Sequence, residues 1–201
     1  MLKILNKTDF NCVGDVAKHC DLPKLCIAED EAIIFDLGGL FCDFLNEITD
    51  VWKEIDEYDA DNELVIPENY EVKKSLIYGG NFVGCNNSTS THLGIKRTLI
   101  YYAYSRYLLI NGFNDTANGS VTKQNEFSIP KPLKEVESFS DKYRNMGYES
   151  YKQTLNFLCH NREVFVNFNH KDCVKCGCGC ESCSGRTKAK GFGLKTSIVR
   201  R

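Results

Sequence analysis

The chain has 201 residues, 42% of them apolar and 26% charged, with a formal net charge of −2. That is the size of one globular domain with appendages, and the charge excludes a strongly basic nucleic-acid binder at the level of the whole chain. No apolar run approaches the roughly 18–20 residues of a membrane span, and Met1 to Asp15 carries no apolar stretch of the secretory type.

Thr8 and Asp9 offer caps for a short helix over about 9–19, ended by Asp21-Leu22-Pro23. From about 29 to 58, Ile33/Ile34, Leu37, Leu40/Phe41, Phe44/Leu45, Ile48, Val51/Trp52 and Ile55 recur every three or four residues, the helical period. Gly38-Gly39 lies inside that stretch and costs about 2 kcal/mol in propensity, so a bend or a close helix contact is expected there. Pro67 suits the start of a helix over about 68–78. Residues 79–91, rich in Asn, Ser and Thr, read as a polar loop.

Residues 93–111 form the most apolar segment, which predicts a central helix closed by Gly112. Its tyrosines Tyr101, Tyr102, Tyr104 and Tyr107 read as core or subunit-interface packing rather than as a base-stacking surface. An excursion over about 113–130 lacks helical pattern, and Asn118-Gly119 within it is a hairpin signal. After Pro130 and Pro132 a second long helix is expected over about 133–159. Val136, Phe139, Tyr143, Met146, Tyr151, Leu155 and Leu158 lie on one side of it. Val164 to Phe168 is a short β-like run. The predicted fold is mainly α: a helical bundle with long central helices, one extended hairpin excursion and an extended C-terminal tail. The predicted division is a helical domain over 1–165 and a Cys-rich, basic tail over 166–201.

Charge is divided unevenly. Residues 27–72 hold fifteen acids and a single base, Lys53, whereas residues 173–201 hold seven bases and a single acid, Glu181. A basic tail on an acidic body suggests docking on its own body or on a neighbour's, and two solvated surfaces are the plainer alternative. Arg186, Lys188, Lys190, Lys195, Arg200 and Arg201 are the candidate contact residues of the tail, with Tyr101, Tyr104 and Tyr107 on the central helix.

Catalytic signatures are absent from the sequence. There is no phosphate-binding loop, dinucleotide fingerprint, zinc-protease motif or nucleophile elbow. His19, His92, His160 and His170 are dispersed and read as surface or capping residues. A carboxylate pair such as Asp36 with Asp43 is a spacing that fifteen clustered acids produce by chance. The reading is not an enzyme.

The one chemical signal is Cys173-x2-Cys176-Gly-Cys178-Gly-Cys180-x2-Cys183, five of the chain's 11 cysteines. Two Cys-x-x-Cys knuckles place thiolates within about 2.3 Å of a zinc ion, and glycines ease the sharp turns between them. A four-thiolate site from Cys173, Cys176, Cys180 and Cys183 is cramped, because only Gly177-Cys178-Gly179 separate the knuckles. His170 can replace one ligand. A structural zinc is one reading of the cluster; thiols without metal are the other. The odd total argues against a disulfide framework, and Cys42 and Cys159 read as small hydrophobes in a reduced compartment.

One ordered set of residues carries a resemblance. The run Gly94-Ile-Lys-Arg-Thr-Leu-Ile-Tyr-Tyr-Ala-Tyr-Ser-Arg-Tyr107 is followed by Asn114-Asp115-Thr116 and by Gly119-x-Val121-x-Lys123-x-Asn125-Glu126. Tyr143-Arg144-x-Met146 and residues 148–158 complete it, and the apolar-acidic stretch over 27–45 agrees. This order resembles the head–tail connector (adaptor, head-completion or ring) proteins of tailed phages, those of crAss-like phages and related Bacteroidetes prophages in particular. It covers roughly residues 1–165, and the cysteine cluster departs from it.

The resemblance implies a structural virion protein made in the host cytoplasm. Such a subunit forms a ring of twelve copies beneath the portal protein. It extends the DNA channel without binding DNA specifically, and it meets the next neck or tail protein; no membrane is involved. An acidic channel wall would let DNA slide, since a basic wall would hold its phosphates. The alternative reading is a zinc-stabilised adaptor outside any virion, binding protein or nucleic acid.

Overall fold

The computed structural model describes residues 5–13, 21–60, 65–84, 87–116, 119–122 and 132–168. The architecture is mainly α-helical, with two small hairpins. The first element is a 3-10 turn, Lys7–Cys12, in which the Asn6 N–H donates to the Asp9 carboxylate at 2.8 Å. It takes the place of the α-helix expected from 9 onward, and residues 14–20 lie outside the described ones.

Helix α1 spans Leu22–Glu31, capped by Asp21, whose carboxylate accepts from the Lys24 N–H at 3.3 Å. Asp21-Leu22-Pro23 therefore starts a helix instead of ending one. Proline's missing N–H is no loss in a first turn, where that group has no intrahelical partner. The chain continues through a π-helical turn, Ala32–Leu37, into the short α2, Gly38–Phe41. The break comes at Cys42, whose φ of 48° leaves the helical region. Cys42 is exposed there, not the apolar-face residue expected.

Helix α3, Phe44–Ala60, buries Phe44, Ile48, Val51, Trp52 and Ile55, a single stripe at three- and four-residue steps. Its acids thereby fall on the other faces. Helix α4 is Tyr70–Tyr78. The stretch expected as a polar loop folds instead into a hairpin: β1, Gly80–Val83, runs antiparallel to β2, Thr89–His92, with Gly80 opposite His92 and Val83 opposite Thr89. The hairpin is tied in by Phe82 and His92, which meet each other and Phe157 edge-on or stacked. Gly79 and Gly94 close its base at φ of 85° and 78°.

Helix α5, Gly94–Gly112, is the centre of the molecule and packs against α6 along its length and against α1 and α4. It leads directly into a second hairpin, β3, Phe113–Thr116, with β4, Gly119–Thr122. Helix α6, Leu133–His160, buries Tyr151, Leu155 and Leu158 of the expected side, but in its first half Phe139 and Met146 are exposed and the small residues Ser140 and Gly147 face α5 instead. Two hydroxyl pairs cross the α5–α6 seam: Thr98 with Ser150 at 2.8 Å, and Ser105 with Ser140 at 2.9 Å. All four residues are buried, and small side chains let the helices approach closely.

Residues 161–168 turn back onto α3. Phe165 and Phe168 are buried and meet the Phe44 ring, with centroids 6.2 and 4.8 Å away, and Asn167 donates to Glu47 at 3.0 Å. The β-like run is thus a pair of turns with no strand, and the packed body continues past the boundary expected at 165.

Candidate functional site

The most concentrated polar site lies where α1, the π turn and α5 meet. Strict helical periodicity from Ala28 and Ala32 would turn Phe35 inward. The wider turn, with the Gly38 N–H donating five residues back to the Ile33 carbonyl, rotates Asp36 and Leu37 into the interior instead. Ile34 and Phe35 are left facing solvent, Phe35 at 64% exposure.

Buried Asp36 requires a counter-charge, and Arg106 of α5 supplies it. The guanidinium Nε donates to Asp36 Oδ2 at 2.6 Å, while another of its nitrogens donates to Glu31 at 3.1 Å. Hydrogen bonding to Asp36 holds the guanidinium more basic than usual, against the opposing effect of burial. Arg106 also lies over the Phe35 ring, 5.5 Å from its centroid. Beside this cluster opens a cavity of about 340 Å³ between α2, the π turn, α5 and α6.

The acidic block is only partly solvated. Helix α4 lies against α3 through Lys73–Glu54 at 2.7 Å, Lys74–Asp59 at 2.9 Å and the Tyr78 hydroxyl, which donates to Asp56 at 2.7 Å. Hydrogen bonds from Tyr70 and then Lys74 hold the Asp59 carboxyl below the usual carboxylate range. Asp43, Asp50 and Glu57 stay exposed, so Asp36 and Asp43 form no pair: one is buried on Arg106, the other faces water.

The tyrosines proposed as contact residues are placed mainly in the chain's own packing. Tyr101 and Tyr107 are buried, and Tyr104 is half-buried, edge-on to Tyr143 at 4.8 Å. The Tyr107 hydroxyl accepts from the Asp21 N–H at 3.4 Å, and Arg97 lies over Tyr101. As anchors for a neighbouring subunit Tyr101 and Tyr107 have little surface to present, because α1 and α6 already cover α5. The metal candidates His170, Cys173, Cys176, Cys178, Cys180 and Cys183 lie outside the described residues, as do Arg186, Lys188, Lys190, Lys195, Arg200 and Arg201. Among the described residues no group of three or more His, Cys, Asp or Glu side chains is placed to hold a metal ion. Cys159 packs against the core as expected, yet it is disulfide-bonded, which departs from the reduced state assigned to it.

His92 is not the surface residue expected. It is 1% exposed and stacked on Phe157 with centroids 4.1 Å apart. Its Nε2 lies 3.1 Å from Ser75 Oγ, and its Nδ1 has no hydrogen-bond partner among the described residues. Burial pushes the imidazole down to about 4, so it is neutral near pH 7. The distance suits a nucleophile and its base; among the described residues no acid orients the ring, and the imidazole is buried against aromatic side chains. The pair locks the first hairpin onto α4 and α6. No described helix is long and apolar enough to cross a membrane.

Residues 52–178 match the family described as "Family of unknown function (DUF6712)". The match spans more than half of the chain, and the chain belongs to that family. No curated protein and no solved structure matches it.

Proposed function

We propose that this member of the DUF6712 family is a structural subunit of a phage head–tail connector: a homo-oligomeric ring, of twelve copies, beneath the portal protein. In this reading it joins the capsid to the next neck or tail protein at the portal vertex, extends the DNA channel and performs no catalytic step. The observation that carries the reading is the β3–β4 hairpin at the end of α5. Its four-residue strands pair only with each other among the described residues. A two-stranded hairpin is marginal by itself in water. In a ring such an arm has a place to bind, since a head-to-tail interface joins two different faces of the same subunit.

Two further features support it. Large apolar side chains stand exposed on separate elements, Ile27 and Ile34 on one side of α5 and Leu133 and Phe139 on α6. The exposed acids of α3 suit a surface past which DNA moves without being held. The test is quantitative mass spectrometry of purified particles from the source, counting this chain against the portal protein. A ratio near one to one is expected, and absence from the particle would overturn the reading.

A further inference from the structure

The cavity beside the Arg106–Asp36 cluster has the composition of a binding pocket. Its walls include Phe35 from the π turn and Tyr148 from α6, two rings left 64% and 48% exposed. Its lining also includes Tyr102, a residue 95% buried (5% exposed), whose hydroxyl has no hydrogen-bond partner among the described residues. Burial pushes that phenol up to about 12, with the Asp36 carboxylate adding to the rise and Arg144 opposing it. That hydroxyl keeps open surface rather than being sealed away, so a ligand atom can reach it in exchange for water.

Arg144 stands at the rim, exposed and without an ion-pair partner among the described residues. The other guanidinium nearby, Arg106, is already engaged by Asp36 and Glu31. Gly39 lines the mouth, and a side chain built there meets nothing within 4 Å, so the opening is clear. A volume of about 340 Å³ is room enough for an aromatic side chain and part of the residue beside it.

We propose that this cavity is an anchor pocket for a single tyrosine or tryptophan of a partner protein, carried next to an acidic residue. The ring enters between Phe35 and Tyr148, its polar tip pairs with the Tyr102 hydroxyl, and the adjacent carboxylate pairs with Arg144. Aromatic and arginine side chains around a desolvated pocket are the composition of interface hot spots. A carboxylate is the natural complement of an unpaired guanidinium. The pocket stands on its own geometry and does not depend on the connector reading.

The test is ligand-observed NMR on the full chain with three capped dipeptides as probes: Ac-Tyr-Asp-NH2, Ac-Leu-Asp-NH2 and Ac-Tyr-Lys-NH2. Ac-Tyr-Asp-NH2 binds with a dissociation constant on the order of millimolar, and the leucine probe does not. Tyr102→Phe weakens binding by about three- to tenfold, the loss of one hydrogen bond. Arg144→Ala removes the preference for Asp over Lys without abolishing aromatic binding. Gly39→Leu plugs the mouth from a position with free space, keeps the fold, and abolishes the signal. No saturation transfer up to roughly 10 mM probe, equal binding of the leucine and tyrosine dipeptides, or unchanged binding in Gly39→Leu would each overturn the proposal.

Discussion

Arg106 Nε donates to Asp36 Oδ2 at 2.6 Å across 70 residues of sequence, joining the central helix to the π turn. The Asp36 side chain is 8% exposed, so the carboxylate has little water to fall back on. Arg106→Leu leaves that charge buried and unpaired. It should cost about 2–4 kcal/mol, the upper part of that range being offset by the guanidinium's partial exposure. Asp36→Asn should cost less, because an amide still accepts from Arg106. The double variant should cost less than the sum of the two, which urea unfolding of all four proteins measures directly.

The extent to which the fold was legible follows from what each signal encodes. Helix α3 announces itself by one apolar stripe from Phe44 to Ile55, α5 by apolarity nearly all round, and α6 by Tyr151, Leu155 and Leu158 in its last turns. The π turn does not announce itself by period. Ile33-Ile34-Phe35 shows three consecutive apolar residues, more than one helical stripe can bury, and that excess is its trace in the sequence. The first hairpin was hidden because Thr, Ser and Asn dominate its strands and only Phe82 and His92 face the core. Pro23 misled because proline both ends helices and begins them, and Asp21 as a cap decides between the two. Of the contact residues chosen on α5, Tyr101 and Tyr107 are buried; apolarity all round a helix signals burial without saying against which partner. The Asp36–Arg106 pair and the Tyr102 pocket depend on long-range packing, which local pattern does not carry.

The hydroxyl seam between α5 and α6 should behave as coupled pairs. Ser105 and Ser140 exchange three contacts, hydroxyl to hydroxyl at 2.9 Å and each hydroxyl to the other's carbonyl at 2.9 and 3.0 Å. Ser105→Ala keeps its backbone carbonyl, so the Ser140 hydroxyl retains that acceptor and loses only the hydroxyl contact; each single substitution should cost about 0.5–1.5 kcal/mol. Either single substitution already loses the shared hydroxyl-to-hydroxyl contact, so the double variant should be closer to wild type than additivity requires. An additive double-mutant cycle in chemical denaturation would count against the coupling.

His92 makes stability depend on pH. Its folded value, pushed down to about 4 by burial, lies below the ordinary imidazole value of 6.5. The unfolded chain therefore binds the extra proton first. The contribution of the neutral imidazole is complete above about pH 6.5, shrinks as pH falls, and is gone below about 4. The loss over that window should be about 2–3 kcal/mol. His92→Gln should flatten this part of the stability–pH curve while lowering stability at neutral pH, both read from denaturation midpoints between pH 7 and 4.5.

Gly94 opens the run that carries the connector resemblance, and its role is steric. At φ 78°, a Cβ there would collide with the backbone of Gly79 and with the Ile77 carbonyl. Both obstacles are main-chain atoms, so no flexible side chain can give way. Gly94→Ala should destabilise the protein by several kcal/mol, well beyond the roughly 1 kcal/mol conformational strain of a left-handed alanine. Gly39→Ala, which meets open space, should be neutral or mildly stabilising. Thermal melts of the two variants side by side separate backbone collision from simple loss of glycine.

The β3–β4 arm separates folding from assembly. Its strands join Phe113 to Thr122 and Thr116 to Gly119 and leave both outer edges unpaired by any other described strand. Among the residues whose side chains are described, α1, α3, α5 and α6 supply a core that is already continuous. Replacing residues 113–122 with a short Gly-Ser linker should therefore shift the thermal midpoint little, because an isolated hairpin contributes almost nothing to a monomer. The same replacement should abolish ring formation by the purified chain, seen by native mass spectrometry, since the arm's contribution then exists only between subunits. If the shortened chain lost its cooperative melt, the arm would belong to the monomer's fold. If it assembled as well as wild type, the ring would have to be closed by the apolar residues of α1 and α6 alone.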